Sequence, residues 1–241
     1  MLFRSGRVPA YPLSPFGSVA HLGPQAMSVG DIALIMNVIT QPDARDWTSL
    51  PFDLRDYTAD LHAGVKGLRV AYSPTLGYAK QVHADIAAAV AKAAEHFIHL
   101  GAVVEQVDPG IEDPLEITTG LWFAGAWQVW RALTAQQQAV ADPDFKAQAL
   151  LGEGLGVDAL HALTQRRGLL GSHMRQFMTR YDLLLTPSVA VPAFAVRAPG
   201  SVSMDAREML GWTPFSYPFN LTQQPAITVP CGLTRDGLPM G

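Results

Sequence analysis

The chain has 241 residues, 49% hydrophobic and 16% charged, with a formal net charge of −4. That length can bury a sizeable core as one large or two small domains, and the lack of a basic run excludes nucleic acid as a main partner. The lone cysteine, Cys231, excludes an internal disulfide framework, fits a reducing compartment, and follows a proline at a predicted strand end, where it reads as a small buried hydrophobe.

The N-terminal stretch MLFRSGRVPAYPLSPFG contains no apolar signal-peptide core. The longest apolar run, 183–196, carries Pro187 and Pro192 and is too short to span a bilayer. A soluble, cytoplasmic protein with no membrane partner is therefore expected. Residues 1–27 read as a long irregular surface or cleft loop. Ser28 is a good N-cap for a helix to about Ile39, with Asp31 as its acidic capping-box partner. Ile32, Leu34, Ile35, Val38 and Ile39 make that helix apolar on most faces, which predicts burial. A polar connection over 42–46 and a loop-rich stretch over 47–64 lead to a strand at 68–72. A helix over 82–100 carries Ile86, Val90, Ala93, Phe97 and Leu100 on one stripe and stops at Gly101. A strand at 102–107 follows and turns at Asp108-Pro109-Gly110. Strand, helix and strand within about 40 residues form a βαβ unit with parallel strands, which points to an α/β class.

The spacing predicts one long helix over 114–140, whose Trp122, Trp127 and Trp130 either pack in the core or line an aromatic pocket. Gly152, Gly154 and Gly156 lie in a connection, 141–157, but follow no strand, so they do not form a dinucleotide-binding fingerprint. A second long helix is predicted over 158–180, a buried strand over 181–187 and a short helix over 205–211. Residues 215–225 read as an aromatic, proline-punctuated loop that enters a buried strand, 226–229. Pro225 can begin that strand but could not sit inside it. Pro230-Cys231-Gly232 ends it and Arg235-Asp236-Gly237 supplies a turn. Another strand is then due where the sequence reaches Pro239-Met240-Gly241.

Three separated blocks carry a family resemblance. The first is Gly6-Arg7-Val8, the loop to Gly23-Pro24, and Ser28-Val29-x-Asp31-x-Ala33. The second is Tyr181-Asp182-Leu183-Leu184-Leu185-Thr186-Pro187. The third and sharpest holds Phe215, Pro218, Phe219, Asn220, Thr222, Pro225, Ala226, Pro230, Gly232, Gly237, Leu238, Pro239 and Gly241 in register. Together they resemble the amidase signature family. Met27 stands where that family has arginine. Gln223 stands where it usually has glycine, so the resemblance does not carry over the backbone conformation there. The GRVPAYP loop is more similar to general bacterial amidases than to tRNA-linked amidotransferase subunits.

The resemblance implies a mixed β-sheet flanked by helices, and hydrolysis of a carboxylic amide without a cofactor. It also implies a serine nucleophile, a second serine in a cis peptide, and a lysine acting as base through that serine. In the family this machinery precedes the G-R-V block, which here begins at residue 6. The sequence holds no Gly-Gly-Ser-Ser-Gly-like run and no G-x-S-x-G elbow. Its only lysines are Lys66, Lys80, Lys92 and Lys146, and Leu2-Phe3-Arg4-Ser5 does not match the family's lead-in. No catalytic residue carries over. The expectation is one partial amidase signature domain over 1–241, truncated at both ends and inactive alone. The alternative is a non-catalytic module that binds amides or pairs with a serine-bearing chain. Missing sheet neighbours predict self-association or a partner chain.

Other constellations are bland. His96 and His99 share a helix turn without an evident third metal ligand. Ser172 and His173 are helix neighbours that diverge by about 100°. Asp108, Glu112, Asp113 and Glu116 read as a solvated helix cap, ahead of any acid-base pair. Candidate contacts to a small-molecule amide are Tyr11, Phe16, His21, Trp122, Phe123, Phe215, Tyr217 and Asn220, each weighed against plain packing.

Overall fold

The computed structural model describes residues 2–3 and 6–241, so Arg4 and Ser5 of the lead-in lie outside the described residues. The chain opens on β1 (Leu2–Phe3) and passes through irregular backbone with a single 3-10 turn at Gly17–Val19. Next comes α1 (Val29–Ile39), where Ser28 Oγ accepts the Asp31 N–H at 3.1 Å and donates to the Asp31 carboxylate at 2.8 Å. One face of α1 is buried through Ile32, Ala33 and Met36, while Val29, Leu34 and Val38 are exposed. The helix, predicted to be buried, is covered on one side only. Met27, at the family's arginine position, stands fully exposed.

β2 (Arg69–Tyr72), α2 (Ala84–His99) and β3 (Val103–Gln106) form the expected βαβ unit, with β2 and β3 parallel and Val70 opposite Val104. Gly101 takes φ +91° just past α2, a conformation that glycine reaches without steric cost. The buried stripe of α2 is Ile86, Val90 and Ala94; Leu100, predicted on it, is exposed.

The single helix predicted over 114–140 is two. α3 (Leu115–Ala132) ends because Leu133 is extended, and Thr134 starts α4 (Ala135–Val140) through a complete capping box with Gln137. A Thr-x-x-Gln pair satisfies two orphan donors at once, so it begins a new helix where periodicity alone continues the old one. The predicted connection 141–157 contains α5 (Pro143–Leu151), which has Asp142 as N-cap and proline at its first position. Gly152 closes α5 against the backbone of α3: a Cβ there would collide with the Phe123 carbonyl. Of the three spaced glycines, Gly152 thus serves helix packing, whereas Gly154 and Gly156 face open space. α6 (Val157–Phe177) follows.

β4 (Leu183–Leu185) pairs parallel with β2 on its other side, giving the order β3-β2-β4. Central Val70 and Ala71 are fully buried. β4 is an edge strand and leaves Leu183 exposed, so the predicted buried strand is shorter and barer than expected. The Asp182 carboxylate accepts the Arg69 N–H at 2.8 Å and pairs with its guanidinium at 3.1 Å, fixing the register.

α7 (Ala206–Leu210) is capped by Asp205. The loop predicted before residue 226 contains α8 (Tyr217–Thr222), with Pro218 in its first turn, where no N–H is needed. Gln223 closes α8 at φ +59°, the left-handed region, so the chain adopts there a backbone suited to glycine. β5 (Ala226–Ile227) pairs antiparallel with β1; Thr228 and Val229, predicted to continue it buried, are exposed. β6 (Gly232–Leu233) turns through Gly237 into β7 (Pro239–Met240), the antiparallel strand that the pattern asked for. Half-buried Cys231 packs with Ile86, Val90 and Met240, and burial pushes its thiol pKa up. The architecture is α/β; parallel and antiparallel pairings both occur, in separate ladders.

Candidate functional site

In α/β sheets, ligands bind beyond the carboxyl ends of the strands. Here the chain leaving β2, β3 and β4 runs to one cleft of about 830 Å³. Its wall includes Tyr78, Asp113, Phe194, Trp212 and Tyr217. The turn after β2 is held tightly. Fully buried Leu76 sits at φ +52°, its N–H donates to Ser73 Oγ at 2.9 Å, and that hydroxyl donates to Asp108 at 2.5 Å. A bulky residue in the left-handed region costs of order 1 kcal/mol or more, and such strain concentrates at functional sites. Its consequence here is to present Tyr78 to the cleft.

Four side chains then form a row. Tyr78 donates to the Pro214 carbonyl at 2.6 Å, and Tyr217 donates to Asp113 Oδ1 at 2.8 Å. Asp113 accepts the Leu115 N–H at 3.1 Å and pairs with Arg207 at 3.1 Å. Asp113 thus caps the start of α3 as predicted, and it also anchors a tyrosine and an arginine, a role the sequence did not disclose. Burial pushes both phenol pKa values up, so Tyr78 and Tyr217 stay neutral. Phe194 and Trp212 meet edge to face at 5.9 Å, and the Arg197 guanidinium lies over Phe194.

Of the eight predicted contact residues, Tyr217 lines this cleft. Phe215 is buried against Leu76, Ala79 and Ala190, and Asn220 is half-buried on α8. Phe16 and Trp122 stack at 4.0 Å, and Phe16 presses on Gly125 of α3. Phe123 meets Gly152 through its backbone. Tyr11 is exposed, with Arg45 over its ring at 4.9 Å. His21 is half-buried; burial and the charge of Arg167 lower its pKa. The prediction drew on irregular and family-matching segments and on the 114–140 helix, whereas the cleft also draws on Tyr78, Phe194, Arg207 and Trp212, which it passed over. A tyrosine just past the predicted strand at 68–72, in Ser73-Pro74-Thr75-Leu76-Gly77-Tyr78, was the available signal. Among the described residues no cluster of three or more His, Cys, Asp or Glu could hold a metal, and no helix is long and apolar enough to cross a membrane.

A small parallel sheet whose strand ends open on an aromatic, tyrosine-lined cleft defines the class as a helix-flanked α/β protein. The profile of the Amidase family matches residues 4–241, and the chain belongs to that family. It is 32% identical over 238 residues to an acylamidase of Rhodococcus erythropolis, covering 94% of this chain and 48% of that protein. It is also 32% identical over 263 residues to a glutamyl-tRNA(Gln) amidotransferase component of Synechococcus sp. (strain CC9902), covering 98% and 53%. The crystal structure of a bacterial aryl acylamidase of the amidase signature family superposes with a TM-score of 0.84 at 28% identity, over 100% of this chain and 53% of that one. The chain spans about half the length of the curated relatives it matches.

Proposed function

We propose that this chain is the cleft-bearing portion of an amidase-type carbon–nitrogen hydrolase that cleaves a small carboxylic amide to an acid and ammonia or an amine. Its match to the Amidase family across residues 4–241 carries the reading. The chain's part is to supply the cleft wall. The nucleophile and base of the serine–serine–lysine chemistry come from a segment outside residues 1–241, because the sequence holds no serine-glycine loop with a nearby lysine. In this reading residues 1–241 form a single partial domain, and Tyr217, Phe16 and Trp122 contact substrate or shape its approach.

A second reading, that the serine-bearing segment belongs to a separate chain, is favoured by the bare run after β5. Ile227 at the end of β5, Val229 in the connection beyond it and Leu233 in β6 are all exposed, and the two ladders they flank are only two residues long each. The test is an antibody raised against this chain and applied to extracts of the source cells. A band at about double 26.0 kDa places the catalytic serines in the same polypeptide. A band at 26.0 kDa favours the partner chain. Amide turnover by the pure 241-residue chain, abolished by mutating one of its own serines, overturns both.

A further inference from the structure

We infer that residues 191–199 form a lid over the cleft, strung between two fixed posts and latched where Phe194 meets Trp212. Such a lid governs access to the cleft, whichever reaction the cleft serves.

Val191, Pro192, Ala193, Phe194 and Arg197 of this one segment all line the cleft. The segment has no helix or strand, and from Val191 to Arg197 no backbone group hydrogen-bonds to another described residue. Past half-buried Val191 and Pro192 it is exposed, Val196 almost completely. A stretch with neither ladder bonds nor buried apolar contacts opens at little cost. Its two ends are built differently. Ala190 is fully buried; its N–H donates to the Trp212 carbonyl at 3.0 Å and its carbonyl accepts the His83 N–H at 2.8 Å. At the far end the Gly200 and Val202 N–H groups donate to the Asp144 carboxylate of α5 at 2.8 and 3.2 Å. Gly200 sits there at φ +78°, a conformation open to glycine at no steric cost. A free span between two fixed ends swings about them, the motion by which lids gate clefts.

Between the posts, Val191 packs beside Leu76 and Phe215, and beyond it only side chains hold the span down. Phe194 meets Trp212 edge to face at 5.9 Å, and the Arg197 guanidinium lies 5.5 Å over the Phe194 ring. Trp212 does not travel with the lid, because its own carbonyl is tied to Ala190 at the fixed post. Phe194 is 53% and Trp212 41% exposed, so the latch is one aromatic edge contact rather than a packed core, and it releases readily.

The test reads access to the cleft by thiol labelling of the pure chain. Ala79→Cys puts a thiol on the buried cleft wall, while native Cys231, half-buried among Ile86, Val90 and Met240, serves as an internal control. Iodoacetamide labelling of both is followed by peptide mass spectrometry. Adding Phe194→Ala is expected to speed labelling of the introduced thiol about fivefold, the size of one aromatic pair, with the rate at Cys231 unchanged. Trp212→Phe keeps a ring on the seat and should hold the rate within about twofold. Asp144→Ala frees the second post and should again speed the introduced thiol alone. An unchanged rate in Phe194→Ala overturns the latch. So does equal acceleration of both thiols, which marks a general loosening of the fold. Either result leaves the hydrolase reading to its own test.

Discussion

The contact of α3 with α5 and the run 226–233 are both apolar in sequence, yet one is dry and the other bare. Ala126, Trp130 and Ala149 are buried together, with Phe145 tilted against Trp130 at 6.2 Å and Gly152 flush on the α3 backbone. In 226–233, Val229 is 52% and Leu233 65% exposed. The difference follows from where backbone hydrogen bonds go. A helix satisfies its own and needs a neighbour only for its apolar stripe, and α3 finds that neighbour in the helix pair just downstream. A strand needs a second strand for every bond. β5 has only a two-residue partner in β1 and β6 only a two-residue partner in β7, and between those ladders Thr228 and Val229 are exposed. The helical contact is covered throughout; the strand run is covered only at its two short ladders.

The sharpest break of that contrast is Gly152→Ala. Its Cβ would strike the Phe123 carbonyl, and backbone cannot step aside as a flexible side chain can. A cost of about 3 kcal/mol is expected, at the upper end for overpacking, read as a fall in Tm of about 10 °C in a chain this long. An unchanged Tm would mean that α5 does not rest on α3. Second is Arg167→Leu. This half-buried guanidinium donates to the Leu221 carbonyl at 2.7 Å and to the hydroxyl and carbonyl of Ser18 at 2.9 Å each, tying α6 to α8 and the N-terminal loop. Its removal leaves three acceptors short, and a loss of about 2 kcal/mol is expected in urea melts. A loss under about 0.5 kcal/mol would show that the loop is held by its apolar contacts alone.

The same contrast explains what the sequence disclosed. The βαβ unit was readable because the Ile86–Val90 stripe and the Gly101 stop act within one element. The break at Leu133 and the start of α5 were also written locally, in Thr134-x-x-Gln137 and Asp142-Pro143, but hydrophobic periodicity runs straight over them. The outcome at 226–229 was not local. Nothing in Ala226-Ile227-Thr228-Val229 says whether a partner strand is present, so an apolar β-rich run read as buried. The cleft was hidden for a related reason. Tyr78, Asp113, Arg207 and Tyr217 lie far apart along the chain, and only the convergence of three strand ends brings them together.

A smaller effect tests the joint between the two regions. Gln223, at φ +59°, closes α8 just before β5. Gln223→Gly removes the steric cost of the left-handed conformation but adds chain entropy to the unfolded state. The first is about 1 kcal/mol or a little more, so a net gain of about 0.5 kcal/mol is expected in thermal melts. Destabilisation would mean that the glutamine side chain, and not its backbone, matters at this joint.

The smallest expected change in stability is the most informative about the bare run. Val229→Lys replaces an exposed apolar side chain with a charged one at a position that contributes little to folding, so ΔG should move by less than about 0.5 kcal/mol. Association should respond instead. A lysine just beyond the short β5 strand opposes pairing with another chain through both its charge and its hydration. If 226–233 is an unfinished sheet, the native chain should show concentration-dependent association in sedimentation velocity, and Val229→Lys should suppress it. Ile227→Lys, in the paired part of the run, serves as a second probe. A destabilisation of about 1 kcal/mol or more on Val229→Lys would place that residue inside a packed core and make the run as complete as the α3–α5 contact. A native chain that stays monomeric at every concentration would show that the exposed edge carries no drive to pair, and the contrast between the two regions would then be one of composition alone.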